Sequence, residues 1–247
     1  MAKQKKYKTR KKRPFSFRIA ACFLRIFIRK PKVINLSGEN LAEKAIYIMN
    51  HSGARGPLIF ELHFPIRANA WGAHEMCGNY KQRWNYLYHV FYQQKLHWGK
   101  CKAFMIATIF AVISKWCYTS IGLIGTYTDM RLINTMRCST EVLNENMSIV
   151  IFPEDSSEGY FDKAPSFHKG FIALSKMYYK RTGEDLPVYS VYYARKNKLF
   201  VVDKPLYVNA LLQEQTEDEL SQTFLRIQHR LFDEYVAENK NIKSEKK

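Results

Sequence analysis

No acidic residue precedes Glu39. Thirteen of the 39 Lys and Arg residues fall in that stretch, so the remaining 209 residues carry only +4 of the formal +17. The pattern is a nearly neutral body with a basic N-terminal arm, and charge of this kind selects partners rather than fold. The five cysteines, Cys22, Cys77, Cys101, Cys117 and Cys138, have no CxxC spacing. An odd, dispersed set points to reduced thiols in a cytosolic compartment and against a disulfide framework or a zinc site. A GxSxG elbow, a P-loop and a GxGxxG turn are all missing. His51, His63 and His74 lack HExxH spacing, so no metal ligation is expected. No apolar run reaches the roughly 20 residues that cross a bilayer, and no small-residue cleavage site marks a secretory signal. Repeats, low-complexity blocks and linkers are absent too.

What is present is enough apolar surface for a sizeable core: 47% hydrophobic and 15% aromatic residues over 247 positions. The arm holds Lys3, Lys5, Lys6, Lys8, Arg10, Lys11, Lys12 and Arg13, read as solvated cations with no part in packing. From Phe15 to Ile28 the chain turns apolar. On a helix, Arg18, Arg25, Arg29 and Lys32 form one narrow stripe, Phe23 and Phe27 lie opposite, and other apolar residues fill the flanks. Such a helix suits the membrane interface, with its cations toward anionic headgroups; the plainer alternative is a surface helix packed on the body. Nucleic acid is not expected as a partner, because the segment is too apolar to track phosphates.

Beyond it, strand patterns (Val33–Leu36, Ala45–Met49, Arg67–Trp71, Ile121–Gly125, Ser148–Phe152, Pro187–Tyr193, Leu199–Val202) alternate with helix patterns (Pro57–Phe64, Ala103–Ser114, Asp129–Asn144, His168–Lys180, Thr216–Ala237). Thr216 with Glu219 reads as a capping box. Ala103–Ser114 is too short for a membrane span and reads as a core helix or the wall of a hydrophobic tunnel. Residues 80–98 are crowded with aromatics, and the tail from Asn239 is polar and expected to fray. The alternation predicts an α/β sandwich with a mostly parallel sheet flanked by helices. The division is 1–32, arm and interfacial helix, and 33–240, α/β domain.

Two strand tips carry the chemistry. Asn50-His51-Ser52-Gly53 closes one apolar run, and Phe152-Pro153-Glu154-Asp155 closes another. Ligands bind outside the carboxyl ends of strands in open α/β sheets, and histidine is the side chain suited to taking a proton near neutral pH. A satisfied structural histidine is the alternative for His51. Glu154, Asp155 and Glu158 read as a solvated acidic loop in preference to a cation site.

These tips resemble those of the glycerolipid acyltransferase family that includes the 1-acylglycerol-3-phosphate (lysophosphatidate) acyltransferases. That family's first motif, Asn-His-x4-Asp, is matched by Asn50-His51. Its Phe-Pro-Glu-Gly motif is matched by Phe152-Pro153-Glu154-Asp155, its Phe-Lys-x-Gly segment by Phe167-His168-Lys169-Gly170, and its proline-containing strand by Leu186-Pro187-Val188. The similarity covers about residues 33 to 203. Three positions depart. The family Asp falls at Gly56, the Gly after Glu154 is Asp155, and the nearest match to the family Arg is Arg131, with Arg137 farther along. The stretch 80–116 reads as an insertion.

The resemblance implies a glycerol-3-phosphate acyltransferase-like mixed sheet. It implies transfer of a fatty acyl chain from a thioester of CoA or acyl carrier protein to a lysophospholipid, with no further cofactor. The setting would be the cytoplasmic face of a membrane rich in anionic lipid. His51 would be the base. Asn50, Ser52, Arg131, Phe152, Pro153, Glu154, Lys169 and Gly170 would line the substrate site. With Gly56 in the Asp position, Glu61 is the first candidate to orient His51 and Glu75 the second; a Gly56→Asp change is expected to raise activity if the site is under-equipped, and to do nothing or harm if a substitute acid already fills the place. A catalytically degenerate lipid-binding protein is the rival reading.

Overall fold

A computed structural model of the chain describes residues 11–237. In chain order the elements are α1 (Phe15–Phe27), β1 (Lys32–Asn35), β2 (Ile46–Met49), α2 (Gly56–His63), β3 (Ala68–Ala73), α3 (Tyr80–Asn85), a π-helix (Tyr86–Lys95), α4 (Lys100–Ile121) and β4 (Ile124–Thr126). They continue with α5 (Leu132–Asn144), β5 (Ser148–Ile151), α6 (Gly170–Thr182), β6 (Pro187–Ala194), β7 (Leu199–Val202), β8 (Leu206–Tyr207), α7 (Val208–Leu211) and α8 (Glu217–Phe232). The sheet runs β1-β7-β6-β2-β5-β3-β4, with β8 on β6. β6, β2, β5, β3 and β4 are mutually parallel; β7 pairs antiparallel to β6 and carries β1 parallel to itself. The mostly parallel, mixed sheet expected from the sequence is what forms.

Parallel strands flanked by helices on both sides are apolar all along their length, and β2 and β5 are buried at every residue. Within β2 the side chains still alternate. Ile46 and Ile48 join α5, α6 and α8 through Met136, Leu143, Phe171 and Phe224. Tyr47 and Met49 join α2 through Ile59, Phe60 and Phe64. Thr216 and Glu219 close the capping box that opens α8. Because β2, β3, β4 and β5 point one way, their polar tips Asn50-His51, His74, Tyr127 and Phe152-Pro153-Glu154 gather along one edge.

Two expectations change. The apolar stretch at 103–114 is the middle of a 22-residue helix, α4, long and apolar enough by length and composition to cross a membrane. It ends where Gly122 takes a left-handed conformation and Leu123 N–H returns to Tyr118 O, a glycine stop. Trp116 to Ser120 hid the extension because they are not uniformly apolar. Arg13 is not a solvated arm residue: it is buried, forked onto Glu61 and bonded to Ala68 O. The helix at Phe15 exists, but Ala21 is its only buried residue. The run Lys3 to Arg10 and the tail from Asn239 lie outside the described residues.

Candidate functional site

At the end of β2, the Asn50 amide takes the place of a strand neighbour. Its oxygen accepts from Tyr193 N–H at 2.7 Å and its nitrogen donates to Tyr193 O at 3.2 Å, tying the tip to β6. Asn50 therefore positions the turn that follows it. Ser52 and Gly53 are both left-handed (φ 47° and 68°); for serine that conformation is uncommon and held only by its surroundings. Gly56 N–H then closes the loop onto His51 O at 2.9 Å.

The second tip is pinned by a short antiparallel pairing of residues 153–155 with 166–168. Glu154 bridges Phe167, Asp155 N–H donates to Ser166 O, and His168 N–H donates to Pro153 O. That pairing aims the buried Glu154 carboxylate at His51. One oxygen, Oε2, accepts from His51 N–H at 2.9 Å and lies 3.3 Å from His51 Nδ1. A proton on Nδ1 in that contact leaves Nε2 bare, which is the tautomer a general base needs. Phe152 and Tyr160 flank the imidazole, with ring centroids 4.8 and 4.7 Å away. Burial pushes the Tyr160 phenol far up, so it remains a neutral donor.

A cation completes the group. Lys95, at the end of the π-helix, donates to Ser156 Oγ at 2.8 Å and lies 5.9 Å from the Tyr160 ring centroid. Burial lowers its pKa, partly offset by Asp155 and Glu75. Gln94 also donates to Ser157 O, so the aromatic segment clamps the loop after Glu154. Sequence reasoning missed both Lys95 and Tyr160. The only signal was a polar Gln93-Gln94-Lys95 end on an aromatic run. π-helical turns recur at functional sites.

Several expected residues lie elsewhere. Glu61 does not reach His51: five residues beyond Gly56, about 140° around the helix, it meets Arg13 at 2.7 Å. Glu75 pairs with its neighbour His74. The acid beside His51 is Glu154. Arg131 is exposed and forked onto Asp129, whose carboxyl it holds down at about 2, and it stacks on Tyr127. Tyr127 in turn stacks on His74. Lys169 pairs with Asp218 at 2.6 Å. Gly170 opens α6 against Trp71; a β-carbon there would sit 2.8 Å from the indole.

Gly56 explains the vacant acid position. A β-carbon at this residue would lie 2.2 Å from His51 O, 2.8 Å from its carbonyl carbon and 3.0 Å from Asn50 O. Those atoms are all main chain, so a side chain here requires the His51 loop to shift.

No protein-family model matches the chain, and no curated protein does. Among solved structures, the chain is similar to the crystal structure of the 1-acyl-sn-glycerophosphate acyltransferase PlsC from Thermotoga maritima, at 12% identity and a TM-score of 0.49, over 90% of each chain.

Proposed function

We propose that this chain is a membrane-surface acyltransferase that moves a fatty acyl group from a thioester of CoA or acyl carrier protein to the free hydroxyl of a lysoglycerophospholipid, lysophosphatidate in particular. His51 Nε2 takes the hydroxyl proton as the oxygen attacks the thioester carbonyl. The tetrahedral intermediate collapses, the C–S bond breaks, and the leaving thiolate takes the proton back from the imidazolium. Glu154 keeps the proton on Nδ1 and stabilises the imidazolium, the part an aspartate plays in a serine-protease triad. Lys95 supplies positive charge for the acceptor phosphate, in the part that the resemblance assigned to an arginine and for which Arg131 was the sequence candidate. The rings of Phe152 and Tyr160 restrict water around the imidazole.

The observation that carries this reading is the Glu154 carboxylate against His51, contributed by the two strand tips that match the family motifs. It favours catalysis over a degenerate lipid binder, since Glu154 supplies at Nδ1 the carboxylate that Gly56 lacks. The basic composition of the arm and the exposed apolar face of α1 support a setting at the cytoplasmic face of an anionic membrane. The test is thioester consumption in the presence of lysophosphatidate. His51→Ala is expected to abolish it, and a near wild-type rate in that variant removes His51 as the base and the mechanism with it.

A further inference from the structure

An amphipathic helix on a soluble protein buries its apolar face and shows its charges to water. α1 leaves its apolar face bare, with Arg18 and Arg25 exposed as well. Its one buried residue, Ala21, lies on the same side as Arg18 and Arg25, and Arg25 Nε donates to Leu62 O of α2 at 2.9 Å. The outward side holds Phe15, Phe23, Ile26 and Phe27, which are 74%, 62%, 72% and 84% exposed.

α4 repeats the arrangement. Ala103, Ala107, Ala111 and Ser114, four or three residues apart, are sealed against the body, while Phe104, Met105, Ile109 and Val112 face out. That small-residue stripe holds α4 on the domain and leaves its larger apolar residues outward. The two outward faces join, because Trp116 donates to Ser16 Oγ and packs on Phe17 with ring centroids 5.7 Å apart. Joined apolar surface of this extent marks an interaction site.

Between α1 and α2, a groove of about 400 Å³ is lined by Arg13, Arg18, Arg25, Arg67 and Glu61 together with apolar residues of α1, Phe15 among them. Arg13 is neutralised by Glu61. Arg18 and Arg67 have no side-chain partner among the described residues. When a helix lies in the interface with its apolar face in the acyl region, its polar face sits at headgroup level, which is where this groove falls.

We propose that this groove binds the phosphate headgroup of an anionic bilayer lipid through Arg18 and Arg67, with the bilayer covering the outward faces of α1 and α4. Guanidinium is suited to the task because its fork donates to two phosphate oxygens at once. The inference deepens the membrane part of the proposed function and does not depend on the acyl-transfer chemistry.

The experiment uses the full chain and phosphatidylcholine vesicles with and without phosphatidylglycerol, read by co-sedimentation. Arg18→Glu with Arg67→Glu is expected to weaken binding to the anionic vesicles at least about tenfold more than the control pair Lys180→Glu with Arg181→Glu. Ile109→Asp with Val112→Asp is expected to weaken binding to both kinds of vesicle. Equal losses in the arginine pair and the control would mean diffuse attraction and overturn the site. Displacement from anionic vesicles by inorganic phosphate at matched ionic strength would overturn the lipid as occupant. A doubled molar mass in solution that Ile109→Asp with Val112→Asp returns to one chain would give the apolar face to a second copy instead. Thioester turnover with detergent-dispersed acceptor stays at wild type in all these variants, so failure of the groove and failure of the catalytic reading are told apart.

Discussion

Replacing Gly56 by alanine inserts one methyl group into the loop that carries His51, and the structure fixes what it meets. The nearest atoms, at 2.2, 2.8 and 3.0 Å, belong to the His51 and Asn50 carbonyls. Forcing an extra carbon into a packed site costs about 1–3 kcal/mol when side chains can yield; here the obstacle is main chain, so the upper end applies. Loss of the 2.9 Å bond from Gly56 N–H to His51 O adds about 1 kcal/mol. Alanine's better helix propensity returns up to about 1 kcal/mol. The net is about 3 kcal/mol, which for a chain of this size lowers Tm by about 6–12 °C. Activity falls further, since a displacement of about 1 Å at a reacting group can cost about a hundredfold. Thermal melts followed by circular dichroism, with kcat/KM on the same preparations, measure both. A Gly56→Ala variant that melts within about 2 °C of wild type and keeps its rate would show that the tip is looser than described and that an aspartate could have stood there. Gly56→Asp is expected to harm both properties, the outcome expected where a substitute acid, here Glu154, already fills the place.

Glu154→Gln keeps the shape of the dyad and removes the charge; by the protease precedent kcat should fall on the order of 10⁴-fold, and a loss of less than tenfold would discard Glu154 as the positioning acid. Lys95→Met should move stability and function in opposite directions. Burial disfavours the charged amine, so its removal leaves Tm unchanged or raises it near neutral pH, while KM for lysophosphatidate rises. In wild type the same lowered pKa means that acceptor affinity declines with rising pH sooner than an ordinary lysine would allow; a pH-independent KM up to the usual lysine range would refute the role. Glu61→Ala strands the buried Arg13 guanidinium, which should cost roughly 3–5 kcal/mol. At a temperature where the variant is folded its kcat should match wild type, and a selective loss of kcat would return Glu61 to the site.

The order of strands and helices was legible because buried parallel strands and amphipathic helices leave different periods in a sequence. Ala45–Met49 and Ser148–Phe152 read as buried strands because both faces of β2 and β5 are covered, and the tips were legible because polar residues with Gly or Pro interrupt those runs abruptly. The charge imbalance before Glu39 is a property of composition alone. Which residues face one another was not. Glu61 is close to His51 in the chain but points to Arg13, because helix phase decides direction. Glu154 is 103 residues away from His51 yet touches it, because β2 and β5 are neighbours in the sheet and the 153–155 pairing with 166–168 turns the carboxylate inward. Lys95 reaches the site from an aromatic segment with no motif. Gly56 looked like a deletion of function until the His51 carbonyl was seen to occupy the space of its β-carbon. The same holds for α1: its sequence defines an apolar face and a cationic stripe, and only its docking on α2 through Ala21 and Arg25 decides that the apolar face is the one turned outward.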